Sequence, residues 1–162
     1  MCPIDYVPIM NNFYQGQGFP PYQWSVYDKS PWTPFEKPLE KCRVCLYTSG
    51  QVSRKDQPPF EPLSYNDLSY REIPKDTPVE ELVINDDYYD HSDADKDVNC
   101  VFPIERFREL EREGYIGELA PTTISGPSGR LYKRTALQQE VVPEIVSKLK
   151  QAGVDVVFLL AT

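Results

Sequence analysis

A chain of 162 residues is long enough for one domain with a modest core, and an apolar fraction of 40% argues against wholesale disorder. The net charge of −8, with no basic cluster beyond the short stretch 130–134, argues against a nucleic-acid partner, because phosphate binding needs clustered Lys and Arg. No run of about 18 apolar residues predicts a membrane span. No secretory leader is recognisable, and four cysteines do not make a disulfide scaffold, so a cytoplasmic protein with reduced thiols is expected.

Residues 1–38 read as an extended arm rich in proline and aromatics, including Phe19-Pro20-Pro21-Tyr22-Gln23-Trp24 and Ser30-Pro31-Trp32-Thr33-Pro34. Proline at this density disfavours regular helix and removes ladder donors. Tyr14, Tyr22, Trp24, Tyr27 and Trp32 carry apolar area that calls for burial, so the arm is expected to wrap its own domain or a neighbouring subunit. Cys2, near the terminus, is uninformative.

The α/β domain is expected over 39–162. Arg43-Val44-Cys45-Leu46-Tyr47 predicts a strand running into Thr48-Ser49-Gly50. Ser69 to Ile73 is a weaker extended piece, and Glu81-Leu82-Val83-Ile84 a second strand. Residues 85–99 form an acidic loop. Ile104 to Glu113 predicts a helix with Pro103 at its start and Gly114 at its end, and Ile104, Phe107 and Leu110 mark its buried face. Thr122-Thr123-Ile124 predicts a short strand entering the turn Ser125-Gly126-Pro127-Ser128-Gly129. Ala136 to Ala152 reads as a helix that kinks at Pro143 or begins near Val142. Val154 to Ala161 is an almost unbroken apolar run, the pattern of a strand buried on both faces. The expected fold is a small, open, mostly parallel α/β sheet flanked by helices.

In such sheets ligands bind beyond the carboxyl ends of the strands. Thr48, Ser49 and Gly50, Ser125 and Gly126, and Thr162 all fall at predicted strand ends, where free backbone N–H groups are able to hold a carboxylate. An ordinary turn explains the same residues. His91, the only histidine, lies among Asp86, Asp87, Asp90, Asp93, Asp95 and Asp97, so it is a candidate acid or base; turn-forming and helix-capping carboxylates are the alternative. Asp93-x-Asp95-x-Asp97 resembles the start of a calcium loop, but Val98 and Ile104 stand where such a loop needs Gly and Glu, so no metal site is expected. Asn99 is placed to fix backbone or to hydrogen-bond substrate. Cys42 and Cys45 are spaced CxxC, yet on a strand these positions face opposite sides, which predicts packing rather than redox chemistry. Cys100, beside Val101, is expected to be buried.

The run from Asp90-His91-Ser92-Asp93-Ala94-Asp95-Lys96-Asp97 through Val98-Asn99-Cys100-Val101-Phe102-Pro103 to Ile104-Glu105-Arg106 resembles the signature of the selenoprotein B family of glycine, sarcosine, betaine and D-proline reductases. Glu113-Gly114-Tyr115-Ile116-Gly117-Glu118-Leu119-Ala120-Pro121, Tyr70-Arg71-Glu72-Ile73-Pro74, Pro31-Trp32-Thr33-Pro34 and Gly153-Val154-Asp155-Val156-Val157-Phe158-Leu159-Leu160 are similar too. Gly126-Pro127-Ser128-Gly129 departs from the family pattern, which leaves the substrate more open than the fold. The resemblance implies a subunit for reductive C–N cleavage of an amino-acid or amine substrate with a dithiol reductant. It implies a partner subunit whose pyruvoyl group activates the substrate, and a selenocysteine nucleophile expected beyond Thr162, where UGA read as a stop would truncate the product. As given, the chain lacks that nucleophile and carries no cofactor of its own, so it is expected to be inactive alone. The alternative is a non-catalytic assembly or ligand-binding subunit. Either way a homo- or hetero-oligomer is expected.

Overall fold

The structure, a computed structural model, describes residues 5–21, 26–30, 32–61, 67–87, 89–127 and 133–162. Of the residues discussed above, Cys2, Tyr22, Gln23, Trp24, Pro31, Ser128 and Gly129 lie outside these segments, as does most of the basic stretch 130–134. The chain divides into two units, Met1–Phe35 and Glu36–Thr162.

The first unit holds a helix, α1 (Tyr6–Gly16), where an extended arm was expected. Pro8 is its third residue, and in a first turn the missing N–H has no intrahelical partner to lose. The prolines that suggested extension lie beyond the helix. No residue of α1 is buried, and Tyr14, Tyr27 and Trp32 are exposed. Among the described residues the Tyr14 ring meets Phe13 and Phe19 edge-on, with centroids 5.5 and 6.2 Å apart.

The second unit is built around β1 (Arg43–Thr48). It pairs in parallel with β5 (Glu118–Leu119) at its start, with β6 (Thr122–Ser125) at its end, and with β7 (Val156–Leu160) along its other side. A fifth strand, β3 (Arg71–Pro74), joins β6 antiparallel, so the sheet is mixed. β2 (Val52–Arg54) and β4 (Leu82–Ile84) form a separate antiparallel ribbon.

Alternation along β1 sends Val44 and Leu46 to one face and Cys45 to the other. The first face packs with Ile73 and Leu119 beneath Ile104 and Phe107 of α2 (Ile104–Arg112). The second packs with Ala120 and Ile124 beneath Ile145 and Leu149 of a C-terminal helical segment. That segment begins as α3 (Arg134–Ala136), widens into one π turn (Leu137–Val141), and continues as α4 (Val142–Gln151). The widening lies immediately before Pro143, which lacks an N–H and crowds the carbonyl four residues back; a π turn relieves both.

Two expectations about burial are corrected. β7 is not covered on both faces: Leu159 is 70% exposed and Phe158 45%, the latter meeting the Phe107 ring at a tilt with centroids 5.2 Å apart. Among the described residues β7 has a ladder partner only in β1. Cys100 is exposed, because it sits in the 3₁₀ turn Val98–Cys100 and it is the following Val101 that turns inward. The start of β7 is fixed by Asp155, whose carboxylate accepts from Arg43 N at 2.8 Å and pairs with Lys37 at 2.5 Å. These contacts, Lys37 first, hold the Asp155 carboxyl below its ordinary range.

Candidate functional site at the carboxyl edge of the sheet

β1, β6 and β7 run parallel and end together, with Thr48 level with Ser125 on one side and Leu160 on the other. Thr48, Ser49, Gly50, Ser125, Gly126 and Thr162 therefore share one edge. Thr162 N donates to Ser49 Oγ at 3.2 Å, and the two hydroxyl oxygens are 3.4 Å apart. A Cβ on Gly50 would stand 3.3 Å from the Thr162 methyl, 3.2 Å from Thr48 Oγ1 and 3.4 Å from Val101, so the turn is closely packed.

Thr48 is fully buried and organises this turn. Its hydroxyl donates to Val101 O at 2.7 Å and accepts from Gly50 N at 3.0 Å, which ties the end of the acidic loop to the strand end. The backbone donors expected to cradle an anion are spent internally. Ser49 N donates to Leu160 O, Gly50 N to Thr48 Oγ1, and Gly126 N to Thr48 O. The three amides serve as ladder and turn bonds, so the edge offers hydroxyls rather than a backbone nest.

Gly126 is required by Tyr47. A Cβ there would stand 1.8 Å from the Tyr47 hydroxyl oxygen. Burial pushes the Tyr47 phenol above its ordinary pKa, so it stays protonated at neutral pH. Arg71 is level with Ser125 on β3, but its guanidinium is occupied by the carbonyls of Pro58, Pro59 and Tyr70 and lies 4.2 Å over the Phe60 ring.

The acidic loop is tied largely to itself. His91 Nδ1 lies 2.9 Å from Asp95 Oδ2, off the axis a hydrogen bond requires, and its ring meets Tyr89 at 5.8 Å. Burial, then the charges of Asp86 and Asp95, raise the Tyr89 phenol. Asp93 pairs with Lys96 at 2.8 Å. Asn99 caps α2: its Oδ1 accepts from Glu105 N at 3.1 Å while its Nδ2 donates to Glu105 Oε2 at 2.7 Å and to Asp97 Oδ1 at 2.8 Å. The Asn99 side chain thus satisfies one orphan donor of the helix start, Glu105 N, and is itself held by the Glu105 and Asp97 carboxylates. Among the described residues no hydrogen bond or ion pair joins His91, Asp93, Asp95 or Asn99 to the strand ends, and no cluster has the make-up of a metal site. An open groove of about 490 Å³ runs beside β4, with Glu80, Asp95, Asp97 and Glu105 in its wall; none of the strand-end residues lines it.

Cys42 and Cys45 fall on opposite faces, in the two separate cores. Cys42 Sγ lies 3.2 Å from Pro38 O. Burial pushes the Cys45 thiol from 9.0 up to about 12.

One residue at this edge carries no sequence signal. Gln51, immediately after Gly50, is fully buried with φ +49°, and neither atom of its carboxamide has a hydrogen-bond partner; nor has the buried Ser125 hydroxyl. A polar side chain one residue past a Gly turn looks solvent-exposed in sequence, so only tertiary packing identifies it.

Comparison with known proteins adds a family. Residues 15–162 match the family described as glycine/sarcosine/betaine reductase selenoprotein B. The chain is 39% identical over 130 residues to the D-proline reductase subunit gamma of Acetoanaerobium sticklandii, covering 80% of this chain and 52% of that protein. It is 34% identical to the sarcosine reductase complex component B subunit beta of Peptoclostridium acidaminophilum, covering 64% and 24%. It is 32% identical to the glycine reductase complex component B subunit gamma of Symbiobacterium thermophilum, covering 87% and 33%. The chain thus spans about half or less of the length of these relatives. No solved structure gives a significant match, and no helix among the described residues is long and apolar enough to cross a membrane.

Proposed function

This chain belongs to the glycine/sarcosine/betaine reductase selenoprotein B family, and we propose that it supplies the substrate-holding edge of a cytoplasmic, multi-subunit reductase acting on a glycine-, betaine- or D-proline-type substrate. The relatives are named as subunits of D-proline, sarcosine and glycine reductases, which supports a hetero-oligomer of this kind. In the proposed reaction a C–N bond is cleaved with two electrons from a dithiol, which becomes a disulfide. A pyruvoyl group on a partner subunit activates the substrate, and a selenocysteine beyond Thr162 supplies a nucleophile ionised at neutral pH.

The observation that carries this reading is the shared carboxyl edge of three parallel strands, where Thr162 is hydrogen-bonded to Ser49. A group following Thr162 would start beside Ser49 and Gly50. With the turn amides spent and Arg71 occupied, the substrate would meet neutral donors and acceptors. Ser49 and Thr162 present hydroxyls there, and the buried Thr48 hydroxyl holds the turn in shape. His91, tethered to the Asp95 side, is proposed as an acid or base only if the assembled enzyme brings it to this edge.

The test is to express the full-length gene, read through any UGA following the Thr162 codon, together with the partner subunits. Release of ammonia, amine or ring-opened product is then measured with glycine, sarcosine, betaine and D-proline under a dithiol reductant. Turnover of one of these supports the reading, and its loss in the selenocysteine-to-serine form supports the nucleophile. An assembled complex that turns over none of the four sinks the enzymatic reading and leaves a ligand-binding or assembly subunit.

A further inference from the structure

A buried polar group without a partner is rare in a folded protein, because each forfeits its bonds to water and gains nothing. Gln51 does so twice over, at Oε1 and Nε2, while its backbone occupies the left-handed region that non-glycine residues avoid. Strain and unpaired polarity at one residue point to a use for it. Its position narrows the use. It follows Gly50, which packs against Thr48, Val101 and Thr162, and its carbonyl accepts from Asn85 N at 3.1 Å, holding the main chain in place.

The Ser125 hydroxyl, also buried and unpaired, ends β6 at the same edge. Level residues of paired parallel strands share a face, so Ser125 stands on the face to which Thr48 points. Thr48 has spent its hydroxyl on Val101 and Gly50. Among the buried side chains of this edge, the unspent polar groups are those of Gln51 and Ser125.

A primary amide sets one donor beside one acceptor. Its complement is a ligand with an acceptor and a donor on neighbouring atoms. An α-amino or imino acid provides this, with a carboxylate oxygen for Nε2 and an amine N–H for Oε1. A fully N-methylated amine has no N–H to offer. We infer that the Gln51 carboxamide and the Ser125 hydroxyl recognise the carboxylate and the N–H of an amino- or imino-acid substrate, and so select against a quaternary ammonium such as betaine. The inference rests on the strand-end substrate site proposed above, and it names the residues that choose among the substrates left open there.

The experiment is calorimetric titration of the full-length protein with glycine, sarcosine, D-proline and betaine, paired with thermal melts of Gln51→Met and Ser125→Ala. Met keeps the length of Gln and removes both unpaired atoms. The expected result is that the wild type binds at least one N–H-bearing ligand about tenfold or more tightly than betaine. Gln51→Met should then melt at the same or a higher temperature and lose about tenfold in that affinity, and Ser125→Ala should lose about fivefold. Should Gln51→Met fail to fold, Ser125→Ala decides alone. Ligand binding that both variants leave within twofold of wild type overturns the inference but not the substrate site, and assigns the pair to a buried water. Betaine binding as tightly as the N–H-bearing ligands overturns it as well. A wild type that binds none of the four overturns the substrate site and the inference together.

Discussion

The Cys42–Cys45 pair has the spacing of a dithiol, in a family whose proposed chemistry consumes one, so its reactivity is worth predicting closely. A thiol is alkylated or oxidised through its thiolate, which is the nucleophile. With its pKa at about 12, Cys45 is about one part in ten thousand thiolate at pH 8, whereas a thiol at 9.0 is about one part in ten. Ionisation alone slows its alkylation about a thousandfold, before the complete burial of its sulfur adds a steric block. Cys42, equally buried, faces the other core, so a disulfide would require β1 to unravel. The assay is timed labelling with iodoacetamide at pH 8, read by peptide mass spectrometry, with exposed Cys100 as the internal fast reference. Cys45 should remain unlabelled until denaturant is added, and a mild oxidant should leave the 42–45 peptide reduced. The same shift fixes a pH dependence. Because the folded pKa is raised, the contribution is whole below the unfolded value near 9 and is lost as pH rises toward 12, at about 1.4 kcal/mol per pH unit. Labelling of Cys45 at a rate near that of Cys100, or a 42–45 disulfide in a protein with unchanged circular dichroism, would refute the reasoning.

Thr48→Val keeps the shape of the side chain but strands Val101 O and Gly50 N, both bonded to the hydroxyl. Urea titration should show a loss of about 2 kcal/mol, and an unchanged midpoint would mean that the turn is held otherwise. Asn99→Ala removes the cap of α2 and should cost about 1–2 kcal/mol. Amide exchange at Glu105 should speed up in that variant; protection equal to wild type would show that the cap contributes nothing.

Much of the fold was legible because local pattern decides it. The strand at Arg43–Thr48, the helix at Ile104–Arg112 and the helical stretch before Gly153 each follow from periodicity and end signals that lie within a dozen residues. The placing of Thr48, Ser49, Ser125, Gly126 and Thr162 at one edge was legible for the same reason: each follows a predicted strand, and parallel strands of one sheet end together. The proline density at 19–34 was misleading for the residues before it, since α1 ends at Gly16 and its single proline, in the first turn, does not prevent a helix.

What tertiary structure alone decided is which groups meet. The antiparallel direction of β3 and the pairing of the three-residue strands β2 and β4 depend on long-range register, which such short segments do not encode by themselves. An apolar run such as Val156–Leu160 fixes a strand but not how many of its neighbours are present, so the exposure of Leu159 had to be seen. Likewise, sequence marked Ser49, Gly50 and Gly126 as donors, but only the fold shows their amides spent on Leu160 O, Thr48 Oγ1 and Thr48 O. Hydrogen-bond satisfaction is a property of three-dimensional neighbours, and that is why the sequence located the edge and Ser125 on it, while only the structure added Gln51 and showed both side chains unpaired.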